Sequence, residues 1–199
     1  MIMRPEVWMI SITDNPISQH YKNICVPTWE KFGFNVNHFE AKTPKDLNED
    51  CNFLPFGLKY KFSKGIEVEF TDTEKAVWYS HYFMWKKCWE ENTPIIVIEH
   101  DTLLLNKINP IVYKYDMVCM SHSRAVMPSG RIIKKTHAGS AYYITPNVAK
   151  SLLSVDKQEK VFTNSDAWLH HNCDKYGKWC KTLCTSYIDD TIGSTIEHN

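Results

Sequence analysis

Glu99, His100 and Asp101 follow directly on Ile95-Ile96-Val97-Ile98, a continuous apolar run. Such a run reads as a central strand covered on both faces. In an open α/β sheet, ligands bind beyond the carboxyl ends of the strands. Two carboxylates at such an end are badly placed for structure and well placed for chemistry. Glu99 and Asp101 are two apart, so extended backbone projects them to the same side. Hard oxygen ligands in that arrangement suit Mg²⁺ or Mn²⁺, neither of which needs a full protein cage when a substrate diphosphate completes the shell. The alternative is a pair of acids that are merely solvated or cap the strand end.

Other groups with chemical potential lie on helices. Glu74 and His81 are seven apart, which puts them on one helical face and lets both address one pocket. Glu74 equally completes a capping box with Thr71, and His81 equally reads as a satisfied core histidine. Asp166 stands in the first turn of a later helix, where the helix dipole favours an acid whatever its function. His170, His171 and His198 read as solvated. Cys173, Cys180 and Cys184 lack the tight C-x-x-C pairs of common zinc sites.

These residues need elements to hold them. Residues 7–12 read as a first strand. A turn at Asp14-Asn15-Pro16 leads into a helix reaching about Phe32 and closed by Gly33, and residues 34–39 alternate as a half-buried strand does. The opening is thus a β-α-β unit. Residues 43–71 look like an irregular excursion of the kind that carries function. Thr71-Asp72-Thr73-Glu74 predicts a helix start, with the helix reaching about Glu91. Its Trp78, Tyr82, Trp85 and Trp89 form a stripe that reads as core rather than as a sugar-stacking platform. Strands are expected at 95–98, 115–121 and 140–145, a loop at 121–137, and helices from Pro146 to about Leu153 and from Ser165 to about Tyr176. Strands alternating with helices imply a mostly parallel α/β sheet in a single domain over residues 1–199.

Composition narrows the class. The chain has 199 residues, 43% hydrophobic and 13% aromatic, which excludes disorder. The amino terminus reads as a strand rather than a signal peptide, and no apolar run approaches the roughly 20 residues of a membrane span. An odd, scattered set of seven cysteines fits reduced thiols, so a cytoplasmic location is expected. Lys plus Arg is 23 and Asp plus Glu is 23, but the balance is segregated. Residues 117–155 contain no acid while Arg124, Arg131, Lys134, Lys135 and Lys150 give a local +5. Residues 40–101 carry 12 acids against 8 bases. The basic stretch is placed to face a diphosphate, an anionic glycan or a DNA backbone, or is a solvated loop. No Gly-rich phosphate loop is present.

The stretch Thr73-Glu74-Lys75-Ala76-Val77-Trp78-Tyr79-Ser80-His81, then Trp85-Lys86, then Ile95 through Asp101 resembles the glycosyltransferases of family 25, the lipopolysaccharide-biosynthesis type. Shared features are a Glu opening a helix, a Ser-His pair six residues on, and a hydrophobic strand ending in an acidic triplet. Gly139-Ser140-Ala141-Tyr142-Tyr143-Ile144 resembles the family's Gly-x-x-Ala-Tyr strand. Asp166 matches its late Asp, Gly193-Ser194-Thr195-Ile196 its terminal Ser-Thr-Ile, and Ala41 its early strand-end Ala. The chain departs by carrying His100 inside the triplet, by lacking an Asn-Leu-x-x-x-x-Arg pattern after the first strand, and by its shortness.

The resemblance implies a GT-A-like nucleotide-sugar-binding fold with a mostly parallel central sheet flanked by helices. It also implies a nucleotide-sugar donor, and a divalent Mn²⁺ or Mg²⁺ held by Asp101 with help from Glu99. Attack on the sugar is expected to be inverting. Asp166 is then the expected base, with Glu74 and His81 as further catalytic groups. Ser80, Glu99, Gly139 and Arg131 are the expected donor contacts. The acceptor would be a surface glycan or a hydroxymethylated base of phage DNA. The alternatives are a non-catalytic nucleotide-sugar or carbohydrate-binding relative, and another metal-dependent transferase that uses nucleotides.

Overall fold

The computed structural model describes residues 4–47, 60–61, 67–120, 123–126, 132–135, 139–154, 164–179 and 185–187. The chain opens with β1 (Glu6–Ser11), followed by α1 (Pro16–Glu30) and β2 (Val36–Glu40). Asn15 caps α1 by accepting from the Ser18 N–H at 2.9 Å, and Pro16 occupies the first turn, where its missing N–H is no loss. β1 and β2 pair in parallel, completing the expected β-α-β unit.

The excursion after β2 contains a 3-10 turn (Pro44–Asp46) and two short strands, β3 (Tyr60–Lys61) and β4 (Glu67–Val68). Helix α2 (Asp72–Glu90) starts at the expected capping box: Thr71 Oγ1 accepts from the Glu74 N–H, and the Glu74 carboxylate accepts from the Thr71 N–H. β5 (Ile95–Glu99) then pairs in parallel with β1. Its alternation sends Ile95 and Val97 into one core and Ile96 and Ile98 into the other. That division is why the run is apolar throughout rather than every second residue.

Beyond β5 come β6 (Thr102–Leu104), β7 (Met117–Cys119), a hairpin of β8 (Ser123–Val126) and β9 (Ile132–Lys135), and β10 (Ala141–Ile144). They are followed by α3 (Pro146–Leu153), α4 (Ser165–Tyr176), β11 (Lys178–Trp179) and β12 (Thr185–Tyr187). The principal sheet has six strands in the order β11-β7-β10-β5-β1-β2. It is parallel except for β10, which runs antiparallel to both β5 and β7. The segment expected as a loop over 121–137 contains β8 and β9, paired in antiparallel register. β10 follows from the end of the sheet at which β7 finishes and runs antiparallel to it.

Helix α1 covers one face, with Cys25 and Trp29 against Val7, Met9, Ile96 and Val118. Helices α2, α3 and α4 cover the other, with Trp78, Trp85, Leu152 and Leu169 against Val97, Cys119 and Tyr142. Trp78 and Trp85 are fully buried, as the core reading of the stripe requires, whereas Trp89 is 44% exposed. Gly177 lets α4 turn into the edge strand β11: a Cβ there would lie 2.4 Å from the Met117 carbonyl. No helix among the described residues is long and apolar enough to cross a membrane.

Candidate active site

β1 passes through α1 to β2 on one side, while β5 lies on its other side. Strand order therefore diverges at β1, and the crevice beyond the carboxyl ends of β1 and β5 is where an open sheet takes ligands. Its walls come from the ends of β1, β2 and β5 and from the start of β10, which enters from the same end. Near this rim, the Thr13 N–H donates to Glu40 at 2.9 Å and the Ala41 N–H donates to the Ser11 carbonyl at 2.9 Å.

Glu99 closes β5 on the face occupied by α2. Its Oε1 lies 3.5 Å from Nε2 of His81, and His81 is 1% exposed while Glu99 is 32% exposed. The Gly139 N–H donates to Oδ1 of Asp166 at 2.7 Å. A Cβ at Gly139 would sit 2.5 Å from that oxygen and 3.4 Å from Nε2 of His81. His81 from α2, Glu99 from β5, Gly139 before β10 and Asp166 from α4 thus converge on one spot. Only a residue without a side chain fits between the aspartate and the histidine.

The other expected site residues are placed differently. Ser80 accepts from the Lys42 N–H at 2.8 Å and donates to the Ala76 carbonyl at 2.9 Å, so its hydroxyl pins the segment after β2 to α2. The Glu74 carboxylate sits on Thr71. It lies about two turns, roughly 10 Å, along the helix axis from His81. Arg131 lies outside the described residues, as do Cys180, Cys184 and His198.

The premise that put Glu99 and Asp101 on one side does not hold, because residues 100–101 form a turn rather than extended strand. Glu99 faces α2. Asp101 belongs to the turn that follows, and the Cys25 thiol of α1 is pushed up to about 12 by burial and, secondarily, by this carboxylate. Among the described residues no group of three or more His, Cys, Asp or Glu side chains is arranged to hold a metal ion. The donor chemistry of Asp101 still fits a hard divalent ion, provided that a diphosphate and water supply most of the shell.

His100 has a separate role. Its ring stacks on Tyr21 of α1, centroids 5.9 Å apart and 28° between planes. Burial holds its pKa below the usual histidine value, against opposing contributions from Glu99 and the Ile10 backbone. The residue that stands where the triplet usually has an acid therefore docks the turn onto α1.

Sequence reasoning missed what lies behind His81. Nδ1 of His81 is 2.9 Å from the Tyr142 hydroxyl, and Trp85 Nε1 donates to that hydroxyl at 3.0 Å. All three rings are buried, and burial raises the Tyr142 pKa well above its usual range. The signal available was a Trp one turn after His81 together with a Tyr in an otherwise apolar strand. Cys25, Cys88, Cys119 and Cys173 are buried, and Cys173 packs in the core.

The family profile described as Glycosyltransferase family 25 (LPS biosynthesis protein) matches residues 5–127. Among solved structures, the chain is similar to the crystal structure of a glycosyltransferase involved in the glycosylation of the major capsid of PBCV-1. Identity is 11%, 94% of this chain and 96% of that chain are covered, and the TM-score is 0.44. Comparison with curated protein sequences returns no match.

Proposed function

Because the chain belongs to glycosyltransferase family 25 and is a glycosyltransferase, we propose that it transfers a sugar from a nucleotide-sugar donor to a glycan hydroxyl by inverting displacement, with Asp166 as base. The observation that supports this reading is the convergence of His81, Glu99, Gly139 and Asp166 at the carboxyl end of the sheet. In such a displacement the acceptor oxygen bonds to the anomeric carbon as the bond from that carbon to the diphosphate oxygen breaks. The nucleoside diphosphate leaves with the electron pair, and the acceptor proton goes to a carboxylate. Asp166 suits the last task. The Gly139 N–H orients its carboxylate, and Gly139 in turn borders His81, which contacts Glu99.

Glu99 suits contact with donor hydroxyl groups, since its carboxylate is partly exposed and braced by His81. A divalent Mn²⁺ or Mg²⁺ at Asp101 would neutralise the departing diphosphate. The run without acids over residues 117–155 favours an acceptor that carries negative charge.

The test is release of nucleoside diphosphate from a panel of sugar nucleotides, with and without Mn²⁺, on wild type and Asp101→Ala. Turnover of at least one donor is expected, with donor binding weakened in Asp101→Ala. No turnover of any donor together with unaltered donor binding in the variant would sink the reading. Including a hydroxymethylated DNA duplex among the acceptors separates a nucleic-acid acceptor, whose binding would weaken steeply with salt, from a glycan.

A further inference from the structure

Trp85 Nε1 has one proton and no acceptor capacity, and it gives that proton to the Tyr142 oxygen at 3.0 Å. The Tyr142 hydroxyl also has one proton to place. Among the described residues, the acceptor at hydrogen-bond distance is Nδ1 of His81, 2.9 Å away. If Nδ1 carried its own proton, the Tyr142 O–H would be buried without an acceptor. That arrangement costs roughly 1–3 kcal/mol. Burial keeps Tyr142 protonated, so the proton is always there to give.

We infer that Tyr142, anchored by Trp85, is a positioning residue for the transfer: it fixes His81 as the Nε2–H tautomer, which aims an N–H at Glu99 and at the site between Gly139 and Asp166. The inference rests on the proposed function only for its catalytic consequence. The geometry assigns the roles. Nε2, 3.5 Å from Glu99 Oε1, becomes a donor that orients the carboxylate toward the donor sugar. His81 thereby serves as a fixed hydrogen-bond donor, and proton acceptance from the acceptor falls to Asp166. Ring packing reinforces the fixed orientation: His81 stacks on Trp85 with 28° between planes and lies 5.7 Å from the Tyr142 ring centroid. A second group that locks a histidine tautomer through the far ring nitrogen is a recurrent device where the near nitrogen must face a site.

The experiment is long-range proton–nitrogen NMR of protein labelled with ¹⁵N-histidine, with His81→Gln used to assign the ring. It is paired with steady-state kinetics of Tyr142→Phe. In wild type the His81 ring should show a protonated Nε2 and a bare Nδ1. In Tyr142→Phe the ring should lose that single tautomer, and kcat should fall roughly 10- to 100-fold with KM unchanged. A wild-type ring protonated at Nδ1 would overturn the inference, and so would Tyr142→Phe with wild-type kcat. The tautomer is read without substrate, even if Tyr142→Phe fails to fold. Its failure is therefore distinct from a failure of the transfer reading, which would appear as no donor turnover by wild type.

Discussion

Asp166 and Gly139 act as one unit, and their substitutions should not add. Asp166→Asn keeps an oxygen for the Gly139 N–H but cannot take up a proton. Turnover is expected to fall by roughly 10²–10⁴-fold while donor affinity holds. Gly139→Ala introduces a Cβ that would stand 2.5 Å from Oδ1 of Asp166, so the carboxylate must move. Turnover should fall toward the level of Asp166→Asn, and the double variant should lose little more than Asp166→Asn alone. Nucleoside diphosphate release by the four proteins of that cycle is the check; simple additivity would mean that Gly139 acts elsewhere. At this scale the sequence was informative about identity and poor about geometry. Glu99, His81, Gly139 and Asp166 were all nominated, but their contact depends on four separate elements meeting. Asp101 was nominated for a shared face with Glu99, and the turn at His100 removed that face.

The capping box of α2 was legible because its signal is local, four residues whose side chains and backbone satisfy one another. Thr71→Ala should destabilise the protein by about 1 kcal/mol. Thermal unfolding would show this as a drop of roughly 2–4 °C. The turn after β5 carries a titrating element of its own. His100 is held below the ordinary pKa of 6.5, so below that value the unfolded chain takes up a proton that the folded chain refuses. Stability is therefore full above about pH 6.5 and declines as the pH falls through the range between the two values. Melting temperatures from pH 5 to 8 should show the decline in wild type and a shallower one in His100→Asn; equal slopes would remove the histidine from the account. Other elements were legible only in part. β8 and β9 lie in a stretch so rich in Arg and Lys that it reads as a solvated loop. β6, β11 and β12 are two or three residues long and leave no periodicity to detect.

The whole molecule joins a sheet readable from its strand–helix alternation to a topology that alternation alone does not give. Reversal of β10 is the part that the alternation does not give. The same reversal places Gly139 at the carboxyl end of β5, since a parallel β10 would start at the opposite end. Ligand occupancy should stabilise this assembly as a unit, because the rim draws on the first strand, the central strand and α4 together. A nucleotide sugar at 100 times its Kd adds about 2.7 kcal/mol to the unfolding free energy. The melting temperature should then rise by roughly 5–10 °C, and a donor with turnover but no such shift would place binding elsewhere.

β10 also bears on synthesis. It is the strand through which β2, β1 and β5 are joined to β7 and β11, and it spans only residues 141–144. A chain still emerging from the ribosome can assemble β1, α1, β2 and β5, but until Ala141 appears one edge of β5 has no neighbour, and both edges of β7 are open because β11 follows later still. Open strand edges are templates for pairing between chains. The interval in which the open edge of β5 waits for its partner is therefore the passage of residues 120–140, a stretch that contains no acid.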